Sequence, residues 1–166
     1  VGLATQAVGF KSLVDPDHVS FANPHSMCNA IQEYCAATGQ HVPSTHSEFI
    51  RCIFDSLALK YRNVLGKLQQ VAPFPIEKLH IIGGGAQNKL LNQFTANAIG
   101  MPVVAGPSEA TAIGNVMMQA KALGIVADLA DMRTVIRKSV TPDLFLPEDA
   151  HVWEAAYQQY VSILEK

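Results

Sequence analysis

The residues best placed to do chemistry are Gly83, Gly84 and Gly85, followed directly by Gln87 and Asn88. Consecutive glycines remove every Cβ from a turn, so its backbone bends sharply and a ligand can approach it closely. Gln87 and Asn88 add side-chain amides able to hydrogen-bond the polar edges of a base or a ribose. Before the glycines, Leu79, Ile81 and Ile82 form the short, β-branched apolar run of a buried strand. After them, from about Gln87, Leu90, Leu91, Phe94 and Ala98 take up helical spacing. A strand, a glycine turn and a helix N-terminus make an anion or nucleotide site, because free N–H groups and the helix dipole face the ligand. The glycines alone weigh equally for such a site and for a bare strand-to-helix turn. Their spacing fits neither the P-loop nor Gly-x-Gly-x-x-Gly.

Other candidates are weaker. Asp55 lies inside a helical pattern, where a carboxylate is expected to face solvent or a partner side chain rather than to act as a base. His80 sits in the strand and is expected to be packed and hydrogen-bonded. Cys28 and Cys35 stand seven apart with no Cys-x-x-Cys, which argues against zinc.

The elements that must position the glycine turn follow from punctuation and period. Residues 1–25 read as an irregular lead-in that is nevertheless apolar, through Phe10, Leu13, Val14, Val19 and Phe21, and should lie over neighbouring structure. Asn23-Pro24 predicts the start of a helix running to about Thr38, with Gly39 beyond its end. Ser44 or Thr45 can cap a longer helix from about Ser47 to Gln70, with Glu48 in its first turn. Val103-Val104-Ala105 reads as a second strand, and a helix of this length between two strands implies parallel pairing in a βαβ unit. A further helix should open after Gly106-Pro107 with Ser108 as cap. Its apolar stripe of Ile113, Val116, Met117 and Leu123 should be packed, with Met117-Met118 filling core. A short helix follows Asp128, then a partly extended segment from Ser139 to Leu146. Residues 147–166 form a last helix carrying Trp153, Tyr157, Tyr160 and Leu164.

With 166 residues and 49% apolar content, the chain can fill one core. A formal charge of −2 without a basic run argues against a nucleic-acid surface. No apolar stretch is long enough for a transmembrane helix, and three cysteines suit a reducing, cytoplasmic compartment. Val1-Gly2-Leu3-Ala4-Thr5 reads as the start of a fragment rather than as a signal peptide.

Ile81-Ile82-Gly83-Gly84-Gly85-Ala86-Gln87-Asn88, followed by Ala105-Gly106-Pro107-Ser108-Glu109-Ala110-Thr111-Ala112-Ile113-Gly114-Asn115, resembles the C-terminal domain of the FGGY carbohydrate kinases. The resemblance also takes in Phe21 to Met27 and Arg51 to Leu59, and runs from about Asp15 to Leu146. Cys52-Ile53-Phe54-Asp55-Ser56-Leu57-Ala58 narrows it to the branch acting on L-rhamnulose. It implies an α/β, ribonuclease-H-like second domain of the actin, Hsp70 and sugar-kinase type, partial and helix-rich with a short parallel βαβ core. Residues 26–146 would be its nucleotide-binding part. It further implies that the glycine turn meets the adenosine of ATP, with Gly84 nearest, and that the full-length enzyme uses magnesium and L-rhamnulose. The phosphate loop, the sugar-binding residues and the catalytic aspartate of such kinases precede the matched region. Neither a catalytic residue nor a metal ligand is therefore expected here, and the chain alone is expected to show no kinase turnover. The missing first domain or self-association would cover an exposed sheet edge and apolar face. Similar kinases can pair the cysteines corresponding to Cys35 and Cys52, although buried free thiols suit a cytosol better.

Two rivals stand beside this reading. One is a non-catalytic nucleotide-binding or assembly module of the actin-like ATPase superfamily. The other is a dinucleotide-binding oxidoreductase domain, weakened because no acidic residue ends a following strand about 20 residues on.

Overall fold

The longest helix organises the structure, and a four-residue signature starts it. In the computed structural model, which describes residues 2–165, Thr45 and Glu48 close a complete capping box at the N-terminus of α2 (His46–Val71), after α1 (Met27–Ala37). The carboxylate of Glu48 accepts from the amides of Ser44 at 2.8 Å and Thr45 at 3.1 Å, and meets His41 at 3.0 Å. Led by the Ser44 amide, with His41 and Thr45 next, these partners hold its pKa down at about 2.

The next helices and strands are β1 (Leu79–Ile81), α3 (Lys89–Ile99), β2 (Val103–Ala105), α4 (Ala110–Ala122), α5 (Leu129–Ser139), β3 (Asp143–Phe145) and α6 (Ala150–Leu164). Short 3₁₀ turns lie at Ala4–Gln6, Val19–Phe21 and Gly84–Gln87. β1 pairs parallel with β2 in the register Leu79–Val103 to Ile81–Ala105, so β1–α3–β2 is the expected βαβ unit. β3, from the segment expected only to be partly extended, adds antiparallel to β2 and makes the sheet mixed.

The core lies between α2, α3, α6 and the lead-in. Leu13, Leu59, Trp153, Tyr160 and Ile163 are buried together, and full burial of each such side chain contributes about 1.5–3 kcal/mol. The lead-in has little regular structure, so its backbone needs other partners. Polar side chains of α2 supply them. Asp55 accepts from the Phe10 amide at 2.8 Å, Ser56 Oγ accepts from the Val14 amide at 2.9 Å, and Lys60 pairs with Asp15 and Asp17, each at 2.7 Å.

Asp55 is thus a structural carboxylate. It is fully buried, and Arg51 Nε donates to both its oxygens at 2.9 and 3.0 Å. The Arg51 guanidinium lies 4.7 Å over the Phe94 ring and 5.6 Å from that of Phe10, and both phenylalanines pack on Trp153. Burial raises the Asp55 pKa, even against the opposing pull of Arg51 and the Phe10 amide. Cys35 and Cys52 are buried free thiols in a second apolar cluster with Val14 and Ile31. Their mutual hydrogen bond lowers the pKa of Cys35 and, with burial, raises that of Cys52.

Four expectations are corrected. α1 begins at Met27 because Ser26 caps it, accepting from the Asn29 amide at 3.3 Å; Asn23 and Pro24 lie before the helix. Its end is as expected, with the Gly39 and Gln40 amides bonded back to Ala36 and Cys35. α4 begins at Ala110 after Glu109, without a side-chain cap, so Ser108 stays in the loop. None of the α4 residues is buried, and Val116 and Met118 are more than half exposed, so this stripe fills no core. His80 is exposed, pointing to the face of β1 opposite that of the half-buried Leu79 and Ile81.

Candidate functional site

The glycine turn follows β1, and the Gly106–Glu109 loop follows β2, so both leave the carboxyl ends of parallel neighbours. That is where ligands settle in open α/β sheets. Two backbone bonds zip the loops together beyond the strands, from the Gly106 amide to Ile81 O at 2.8 Å and from the Gly83 amide to Pro107 O at 3.0 Å. Gly83 can serve there because its φ of 77° and ψ of −161° suit glycine and few other residues. The chain then makes the 3₁₀ turn Gly84–Gln87, in which the Ala86 amide donates to Gly83 O and the Asn88 amide to Gly85 O.

Gly84 needs a different explanation. A Cβ built on it would meet nothing within 4 Å, and its φ lies outside the left-handed region. The fold itself would therefore accept a side chain, so nothing in the packing of the described residues calls for glycine there.

Between the loops lies a cleft of about 520 Å³, lined among others by Ala86, Gln87, Pro107, Ser108, Ile113 and Thr141. The two sequence stretches separated by α3 thus converge on one concave surface. Gly84, Gly85 and Gln87 are exposed, with the Gln87 side chain on the cleft wall. Asn88 is differently engaged: its Oδ1 accepts from the Leu91 amide at 3.2 Å and caps α3. Its candidate contact to a ligand therefore falls to the amide nitrogen.

Sequence reasoning missed several contributors. Lys89 Nζ pairs with Asp143 at 3.2 Å across the rim of the cleft, and Val140 and Thr141 form its far wall. Their membership depends on β3 folding back beside β2, which the local pattern does not encode. Asn92 is also part of the frame, fully buried and donating through Nδ2 to Ala86 O at 2.9 Å. Its signal was visible as a polar residue interrupting the apolar run of Leu90, Leu91 and Phe94.

Known proteins share this chain's sequence pattern and its fold. The C-terminal domain of the FGGY family of carbohydrate kinases matches residues 3–123, and the chain belongs to that family. Its fold is also that of a xylulose kinase from Rhodospirillum rubrum, with a TM-score of 0.57 at 20% identity over 76% of this chain and 26% of that one. A gluconate kinase from Lactobacillus acidophilus gives a TM-score of 0.57 at 17% identity, covering 75% of this chain and 26% of its own. More particularly, the chain is 58% identical over 148 residues to a rhamnulokinase from Bacteroides thetaiotaomicron, covering 89% of this chain and 30% of that protein. It is 49% identical over 133 residues to the rhamnulokinase of Pectobacterium atrosepticum, covering 80% of this chain and 27% of that protein. The chain therefore spans about 30% of the length of these relatives.

Proposed function

We propose that this chain supplies the adenosine-binding side of the active site of an L-rhamnulose kinase, which converts L-rhamnulose and Mg-ATP to L-rhamnulose 1-phosphate and ADP. The observation that carries this reading is the cleft walled by two loops zipped together at the ends of parallel strands, into whose wall at Ala86 and Gln87 the exposed glycine turn leads. Gly84 and Gly85 offer exposed backbone, Gln87 a side-chain amide and Asn88 its amide nitrogen to the base or ribose. Gly83 shapes the turn. Phosphoryl transfer is chiefly positioning and charge stabilisation, and this chain provides the nucleotide's seat.

In this reading magnesium enters with the nucleotide phosphates. The outer edge of β1 has no partner strand among the described residues, and apolar side chains of α2 (Val64, Leu68, Val71) and α4 (Val116, Met118) stand in solvent. In this reading the remainder of the kinase, including its catalytic aspartate, covers that surface. The free thiols of Cys35 and Cys52 support a reducing, cytoplasmic setting. Among the described residues no helix is long and apolar enough to cross a membrane.

The test is an NMR titration of this chain with Mg-ADP, Mg-ATP and NAD. Shifts at Gly84, Gln87 and Asn88 with ADP and ATP but not NAD are expected. An equal or stronger response to NAD would replace the kinase reading with a dinucleotide-binding one.

A further inference from the structure

We propose that Asn92 is the positioning residue of the glycine turn, fixing through one buried hydrogen bond the wall against which the nucleotide lies. The inference rests on the nucleotide reading above and adds to it a residue that need not touch the ligand. Gly83, Gly84 and Gly85 give the turn more conformational freedom than any other triplet would, so holding it in one shape has a large entropic cost. At its strand end the turn is tied by the Gly83 amide to Pro107 O. At its helix end the tie is Asn92, one turn beyond the cap Asn88, whose Nδ2 donates to Ala86 O at 2.9 Å.

Asn92 is only 1% exposed, and Ala86 is buried as well. An apolar residue would suit the helix face at 92 at lower desolvation cost, so a carboxamide there is explained by the carbonyl it meets. That carbonyl belongs to the residue preceding Gln87, and Ala86, Gln87 and Lys89 together line the cleft. Releasing Ala86 O would let this wall drift while the opposite wall, Gly106 to Glu109, stayed in place.

The experiment compares the chain with its N92L and N92A variants, and with F94L as a control. Phe94 packs on Trp153 and under Arg51, away from the turn. Amide hydrogen exchange is read at Ala86 and Asn88, whose N–H groups close the turn, against Gly100, whose amide bonds to Ala96 at the far end of α3. Mg-ADP affinity is measured on the same samples. N92L should speed exchange at Ala86 and Asn88 about five- to tenfold relative to Gly100, the worth of one buried hydrogen bond, and weaken Mg-ADP by a similar factor. F94L should leave the ratio unchanged. Should N92L fail to fold, N92A carries the same comparison. Wild-type exchange ratios in the Asn92 variants would overturn the proposal, as would altered ratios with unchanged ADP affinity. If the unsubstituted chain shows no response to Mg-ADP, the nucleotide reading falls, while the exchange ratios still decide whether Asn92 fixes the turn.

Discussion

Replacing Asp55 by alanine should be among the most damaging single changes in this chain, although Asp55 takes no part in chemistry. The carboxylate is fully buried and receives the Phe10 amide at 2.8 Å and Arg51 Nε at 2.9 and 3.0 Å. The Arg51 side chain is itself only 17% exposed, so D55A would leave a largely buried guanidinium and an amide without their acceptor. Breaking a buried pair on one side costs about 3–5 kcal/mol, a large share of the roughly 5–15 kcal/mol that holds a domain together. D55N keeps one acceptor but turns an amide N–H₂ toward Arg51 in place of the other carboxylate oxygen, and this poorly partnered donor should cost about 1–3 kcal/mol. Removing both charges is different. Burial outweighs Arg51 in setting the Asp55 pKa, so the ionised pair pays heavily for desolvation; R51M/D55L removes that cost, leaves the Phe10 amide without its acceptor, and should lie about 1–3 kcal/mol below the parent, above D55A. Urea unfolding at pH 7 reads all four proteins. Because the folded pKa is raised above the ordinary 3.8, the parent's stability relative to D55N is greatest below pH 3.8 and declines as pH rises through the folded value. A D55A cost below about 1 kcal/mol, or an R51M/D55L protein as unstable as D55A, would refute this account.

Glycine substitutions should separate shape from access. G83A should cost about 1–2 kcal/mol of stability from its positive φ, whereas G84V should leave urea unfolding within about 0.5 kcal/mol of the parent and weaken Mg-ADP binding at least tenfold in a calorimetric titration. Glu48 is ionised down to about pH 2 in the folded chain, against an ordinary 4.5. Its stabilisation is therefore present above pH 4.5 and lost between there and pH 2, and an E48Q protein should show a flatter acid unfolding profile across that window. G9A should cost about 1–3 kcal/mol by thermal unfolding, since its Cβ would stand 2.2 Å from an Arg51 nitrogen and displace the guanidinium from Asp55.

Local chemistry made some of this structure legible in the sequence. Ser44 or Thr45 as cap and Glu48 in the first turn marked the start of α2 because such signals lie within a few consecutive residues, and the structure selects Thr45 and completes its capping box with Glu48. The βαβ unit was readable because strand, glycine turn and helix follow one another without interruption. The failures have a different origin. Asn23-Pro24 and Ser26 both carry starting signals for α1, and only the packed structure selects the second. The stripe on α4 has the period of a core face, yet period cannot show whether a partner is present to bury it. Asp143 and Thr141 reach the cleft through a strand pairing with residues about 40 positions earlier, beyond the range of any local pattern.

Trp153 is the chain's single tryptophan, buried at the meeting of three segments distant in sequence. Phe10 of the lead-in meets its ring edge-on at 4.8 Å, and Phe94 of α3 lies 5.4 Å away. Its emission is therefore a native optical gauge of whether lead-in, α3 and α6 remain docked. The glycine turn closes before α3 begins, whereas Trp153 meets α3 at Phe94, beyond the first turn of that helix. Local loosening of the turn should leave that signal unchanged, while release of the lead-in should shift it to the red, so one unlabelled fluorophore can distinguish the two events.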